Sequence, residues 1–123
     1  MIHRRKLLLV ASAAVIAPWA LAAFPTKAVR IVVPNAPGGA ADITARAVGE
    51  HMARTLGQPV VIENKPGAGG VVAGQTVASA TPDGHTLLLI SIGTAVSQAL
   101  FKSLPFDTLK AFTPVAPLAT FDL

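Results

Sequence analysis

Val29-Arg30-Ile31-Val32-Val33-Pro34-Asn35-Ala36-Pro37-Gly38-Gly39 decides the fold class. Val29 to Val33 is a short run of β-branched residues of the kind that forms a buried strand, and Pro34 ends it. Asn35 to Gly39 has the composition of a turn. A helix is expected from about Ala41 to Leu56. Ala41, Ala45, Val48, Met52 and Leu56 recur at spacings of 4, 3, 4 and 4 and make one apolar face. Arg46, Glu50 and Arg54 fall on another face. Asp42 stands in the first turn, where a negative charge suits the helix dipole. Gly57 follows Leu56 as a C-terminal cap.

The same alternation continues outward. Val60-Val61-Ile62-Glu63 reads as a second strand after Pro59. Asn64 to Gly70 is a glycine-rich loop, and a second helix is expected from about Val71 to Ala80. Pro82-Asp83-Gly84 is a tight turn. Thr86 to Ile90 reads as a third buried strand, Ser91 to Thr94 as a loop, and Val96 to Phe101 as a short helix. Thr113 to Thr120 is a candidate fourth strand, although Pro114 and Pro117 suit only an edge or an irregular segment. Strand, helix, strand, helix, strand predicts an α/β fold, a parallel βαβαβ sheet with flanking helices and right-handed crossovers. Ligands of such sheets sit beyond the carboxyl ends of the strands. The segments there are Asn35 to Asp42, Asn64 to Gly70 and Ser91 to Thr94.

The N-terminus reads as an export signal. Met1 to Lys6 carries Arg4, Arg5 and Lys6. Leu7 to Ala17 is apolar up to Pro18, and Ala20-Leu21-Ala22 supplies a small-residue cleavage site. Residues 1–22 are therefore expected to be a signal peptide, with the periplasm as destination. The paired arginines also resemble a twin-arginine signal, so the general and twin-arginine routes stay open. The chain has 10 basic and 6 acidic residues, net +4, but three of the basic ones lie in this segment. Residues 23–123 are close to neutral and present no basic stripe for nucleic acid. Once the signal is removed, no stable membrane insertion is expected.

Motifs for catalysis are missing. The chain has no cysteine, which excludes disulfides, thiolate metal sites and a cysteine nucleophile. Gly67-Ala68-Gly69 begins a dinucleotide fingerprint, but Val72 occupies the place of its last glycine. There is no phosphate loop and no Gly-x-Ser-x-Gly. His51 and His85 have no partner at metal-ligand spacing. Asp83 is explained by its turn. Glu63 either reaches the ligand crevice or pairs with a cation such as Lys65. No catalytic residue, metal site or cofactor is expected.

The positive signal is a site for an anion. Pro37-Gly38-Gly39 precedes a helix, where bare backbone N–H groups and the helix N-terminus attract a carboxylate or phosphate. The competing reading is that the glycines only allow a tight turn. Gly67 to Gly70 carries the same ambiguity. Ser91 and Thr94 either donate hydroxyls or only cap the following helix. A bulky β-branched residue at Gly39 is expected to obstruct the loop's N–H groups.

These segments also carry a resemblance. Arg30 to Pro34 with Pro37-Gly38-Gly39 and Asp42 is similar to the opening of the Bug (TctC-like) family, the extracytoplasmic binding proteins of tripartite tricarboxylate transporters. Leu56 to Gly70 resembles the family's second block almost throughout. Pro82-Asp83-Gly84-His85-Thr86-Leu87-Leu88 resembles its third. Leu104-Pro105-Phe106-Asp107 with Phe112-Thr113-Pro114-Val115 resembles its fourth. The resemblance implies a two-lobed, type II-like periplasmic binding protein that traps a small carboxylate and delivers it to the transporter's membrane subunits. It implies no catalytic residue. It places Pro37, Gly38, Gly39 and Asp42 at the ligand, with Ser91, Gly93 and Thr94 facing the crevice. Asn35-Ala36 stands where many members carry a bulkier or aromatic residue, and Ala95 to Ala99 lacks a proline-containing stretch common in the family. Residues 23–123 correspond to an incomplete N-terminal lobe, with the second lobe absent. A periplasmic sensor module, an exported enzyme with catalytic residues beyond Leu123, and a non-functional remnant are the rival expectations.

Overall fold

The computed structural model describes residues 23–120. The expected signal peptide and its cleavage site lie outside the described residues. Within them the chain folds as β1 (Val29–Val33), α1 (Ala40–Leu56), β2 (Val60–Asn64), a 3-10 turn at Ala68–Gly70, α2 (Val71–Ala78), β3 (Thr86–Leu88) and α3 (Ile92–Leu100). The strands form one parallel sheet in the order β2-β1-β3. Val29 to Val33 pairs with Val60 to Asn64, and Arg30 to Val32 with Thr86 to Leu88. The expected parallel α/β fold is therefore what forms.

β1 is central because its sequence suits that place. Val29, Val32 and Val33 are fully buried and Ile31 nearly so. Burying one such side chain contributes about 1.5–3 kcal/mol. Successive strand residues face opposite sides. Ile31 and Val33 pack with Ala45 of α1, backed by Met52, Ile62 and Leu87. Val32 points to the other face, where α2 lies against β1 and β3. Both faces of β1 are thus covered, which explains the unbroken apolar run. α1 comes close to β2 at Gly49, where a Cβ would meet Val60 and Ile62 side chains at 3.1–3.2 Å. Gly57 stops α1 in the left-handed conformation and donates its N–H to the Ala53 carbonyl.

The structure corrects several sequence expectations. β3 ends at Leu88, not Ile90, and it is half-buried, as β2 largely is. Both strands flank β1 and are paired on one side only among the described residues, so less of each is covered. α2 ends at Ala78. No strand forms at 113–120; the segment is irregular, as its two prolines require. α3 begins at Ile92, so Ile92 to Thr94 is its first turn and not a loop.

The 101–120 segment is pinned by one ring. A Cβ on Gly74 would fall 2.2 Å from Phe106 Cζ, so the ring sits directly on the α2 backbone. Phe112 meets Phe106 edge to face, with centroids 5.5 Å apart. Gly74→Val is expected to expel Phe106 and free this segment. Limited proteolysis should then cut within 101–120 at least about tenfold faster, the equivalent of roughly 1.4 kcal/mol of lost docking. Unchanged cleavage would show that the ring does not hold it.

Candidate functional site

All three strands run the same way, so their exits share one end of the sheet. The chain passes from β1 to β2 on one side, then crosses to β3 on the other. This reversal of direction about β1 marks the place where open α/β sheets form ligand crevices. The loop after β1, the glycine loop after β2 and the start of α3 meet there. Gly70 is the point of contact: a Cβ on it would lie 2.7 Å from Thr94 Oγ1 and 3.2 Å from Pro34 Cβ.

The loop after β1 is shaped by Gly38, whose φ of +86° lies in the left-handed region. Gly39 is different. Its φ of −77° suits any residue, and a Cβ there would meet only the Ala36 carbonyl at 3.6 Å. Pro37, Gly38 and Gly39 are all exposed at the rim. The first intrahelical bond of α1 runs from the Ile43 N–H to the Gly39 carbonyl. The N–H groups of Ala40 and Ala41 precede it and stay available, as in any helix start.

Asp42 lies beneath this loop and is buried. Its Oδ2 accepts from the Gly38 N–H at 2.9 Å and from Arg46 Nε at 3.0 Å. Its role is thus wider than a favourable charge in the first turn, because it ties the glycine loop to the helix. It also takes up the Gly38 N–H. Arg46 and the Gly38 N–H hold its pKa down at about 2, against the opposing effect of burial, with a smaller contribution from Asn64. Its other oxygen, Oδ1, has no hydrogen-bond partner among the described residues.

On the opposite side, Ser91 stands at the N-cap of α3 without a side-chain capping bond, so its hydroxyl is unspent. Thr94 is 2% exposed, and its Oγ1 is buried without a hydrogen-bond partner among the described residues. Gly93 comes within 3.6 Å of the Gly69 carbonyl when extended by a Cβ. Ser97 secures the contact: its hydroxyl reaches the carbonyls of Gly69 at 2.9 Å and Gly93 at 2.8 Å. The second glycine loop is therefore a close-packing surface for α3. Sequence reasoning did not single out Ser97, whose role depends on the approach of a segment 28 residues away.

Arg46 and Asn64 were also missed as site residues. Arg46 was legible only as a polar-face residue four after Asp42, a spacing that allows an ion pair. Asn64 has no such signal; its place comes from the register that sets it opposite Val33. Glu63 takes the structural alternative, pairing with Arg30 and Lys65 at 3.0 Å each. Lys65, and to a lesser degree Arg30, lower its pKa. His51 is exposed on α1. His85 packs on Phe24, and its Nε2 accepts from the Thr26 N–H. No group of His, Asp and Glu among the described residues could hold a metal.

Asp83 is held near pKa 2 as well, by Lys27 and the His85 N–H. Both carboxyls titrate lower in the fold than in the unfolded chain, where the value is near 3.8. Their contribution is therefore complete above that value and is lost as pH falls toward 2. A thermal-melt series is expected to show Tm dropping across this window, and Asp42→Asn with Asp83→Asn to flatten the drop. An equal drop in the double variant would contradict it.

Comparison with known proteins follows the same lines. A UPF0065 protein of Bordetella pertussis is 53% identical over 100 residues, covering 79% of this chain and 30% of that protein. MatC from Rhodopseudomonas palustris, solved with bound malate, is 51% identical with a TM-score of 0.72, covering 77% of this chain and 33% of MatC. A structure described as a periplasmic transporter is 49% identical with a TM-score of 0.69, covering 72% and 30%. The chain thus spans about a third of the length of the proteins it matches. The family described as the tripartite tricarboxylate transporter family receptor (TctC) matches residues 44–123. On this family match and these relatives, the chain belongs to the TctC receptor family.

Proposed function

We propose that this protein is an extracytoplasmic solute receptor that binds a small carboxylate reversibly and delivers it to the membrane subunits of a tripartite tricarboxylate transporter. Residues 1–22 direct export to the periplasm. Residues 23–123 form part of the N-terminal lobe and supply one wall of the crevice. The ligand carboxylate sits at the rim formed by Pro37, Gly38 and Gly39, which Asp42 supports from below, with Ser91, Gly93 and Thr94 opposite.

One observation carries this reading: the β1 loop and the start of α3 converge on Gly70 at the sheet's reversal, with the Thr94 hydroxyl buried and unspent there. Buried polar atoms left without partners are rare and call for one. Helix-start N–H groups suit an anion. The site offers hydrogen-bond donors, which suit reversible binding of a carboxylate. That MatC was solved with malate supports a small hydroxy- or dicarboxylate as the ligand class.

Isothermal titration of the protein expressed from its full reading frame, with malate, adipate and the neutral diamide of malate, tests this. Saturable binding of a carboxylate, with no response to the diamide and with the acid recovered unchanged, is expected. Conversion of the acid, or equal binding of the diamide, would contradict it.

A further inference from the structure

The loop after β1 is held from below by a closed ring of hydrogen bonds. Gly38 donates its N–H to Asp42 Oδ2 at 2.9 Å. Arg46 donates Nε to the same oxygen at 3.0 Å and Nη2 to Asn64 Oδ1 at 3.2 Å. Asn64 Nδ2 then donates to the Asn35 carbonyl at 3.1 Å. The ring runs from Gly38 through Asp42, Arg46 and Asn64 back to Asn35. Chemistry fixes its direction. Arginine can only donate and a carbonyl can only accept, so the Asn64 carboxamide must turn its oxygen to Arg46 and its nitrogen to Asn35.

Each end of the loop is therefore gripped by a different element. Asp42 and Arg46 stand on α1. Asn64 is the last residue of β2, aligned with Val33 at the end of β1. Lys65 N–H donates to the Val33 carbonyl at 2.8 Å, which sets the height of Asn64 beside the loop. Arg46 joins the two grips, and its planar fork lets it serve both at once. It also answers an electrostatic problem. Asp42 is a buried carboxylate directly under the helix start where the ligand anion would sit. Unpaired, it would repel that anion.

We propose that Arg46 and Asn64 are positioning residues for the ligand loop: they clamp residues 35–38 in the shape that leaves the Ala40 and Ala41 N–H groups open, and Arg46 offsets the Asp42 charge beneath the bound carboxylate. The second part rests on the receptor reading above; the clamp does not.

The test uses four variants, Arg46→Lys, Arg46→Gln, Asn64→Ala and the Arg46→Gln/Asn64→Ala double, each measured three ways. Tm reports the fold. The amide order parameter of Gly38, taken without ligand, reports the clamp. Kd for malate reports function. Asn64→Ala and Arg46→Gln are expected to lower the Gly38 order parameter from the rigid range near 0.85 to below about 0.6. Tm should stay close to wild type in Asn64→Ala, because Asn64 is only half-buried. It should fall in Arg46→Gln, which leaves the buried Asp42 carboxylate without its cation. The clamp is therefore read from Gly38 in Asn64→Ala first. Malate binding should weaken on the order of tenfold through lost preorganisation. Arg46→Lys keeps the charge but cannot span both partners, so its affinity should fall between wild type and Arg46→Gln. The double variant should be no looser than the worse single one, since both break one ring. A rigid Gly38 in Asn64→Ala and Arg46→Gln, or strictly additive losses, would overturn the clamp. Equal malate affinity in Arg46→Lys and Arg46→Gln would overturn the charge role. A wild-type protein that ignores malate while the variants loosen Gly38 would sink the receptor reading and leave the clamp standing.

Discussion

Gly70→Val is expected to destabilise the described fold strongly. Gly70 is buried with φ at +97°, and its Cβ direction is blocked by Thr94 Oγ1 at 2.7 Å and Pro34 Cβ at 3.2 Å. Left-handed backbone costs an L-residue about 1–2 kcal/mol. Overpacking adds about 1–3 kcal/mol. The sum, about 2–5 kcal/mol, corresponds in a domain of this size to a Tm fall of roughly 10–30 °C. Removing the obstructing hydroxyl separates the two causes. Gly70→Val combined with Thr94→Ala should recover the share due to the hydroxyl and leave the backbone share and the Pro34 contact. A Gly70→Val protein that melts within about 3 °C of wild type would mean that α3 and the β1 loop do not meet there.

Gly38→Val should act on the ligand and hardly on the fold. A side chain at Gly38 meets nothing within 4 Å, but its φ of +86° is unfavourable for any β-branched residue. The exposed loop can relax to negative φ, which swings the Gly38 N–H away from Asp42. Tm should change by only a few degrees, while affinity for a carboxylate falls on the order of tenfold or more, the scale of a lost charge-assisted hydrogen bond and its preorganisation. Gly39→Ala is the control for the fold, since its backbone and surroundings accept a methyl group. Any loss of binding in that variant reports obstruction of the ligand. Retained affinity in Gly38→Val would show that the loop's shape does not matter to binding.

The fold was largely legible in the sequence because its central elements depend on local pattern. The mostly β-branched run at Val29 to Val33 reads as a buried strand, and one forms there. The apolar face from Ala41 to Leu56 predicted α1 to within one residue at its start. Where tertiary contact decides, the pattern fell short. Ile92 to Thr94 looks like a loop until the Ser97 hydroxyl, within reach of both the Gly69 and Gly93 carbonyls, ties the helix to the glycine turn. The glycines at 69 and 70 were readable either as an anion cradle or as a turn. The structure shows that they admit a neighbouring helix, a role set by residues more than twenty positions away. Around the candidate site, the glycine turn and Asp42 were visible at the sequence level. The Arg46–Asn64 link was not, because it exists only once β1 and β2 are in register.

The most direct test of the carboxylate-receptor reading is to map malate-induced amide shifts on the isotopically labelled protein expressed from its full reading frame. Within the described residues, the largest shifts are expected at Gly39, Ala40 and Ala41 and at Ser91 to Thr94, with none of them produced by the neutral diamide. Shifts concentrated elsewhere, or produced equally by the diamide, would contradict a carboxylate held at this end of the sheet.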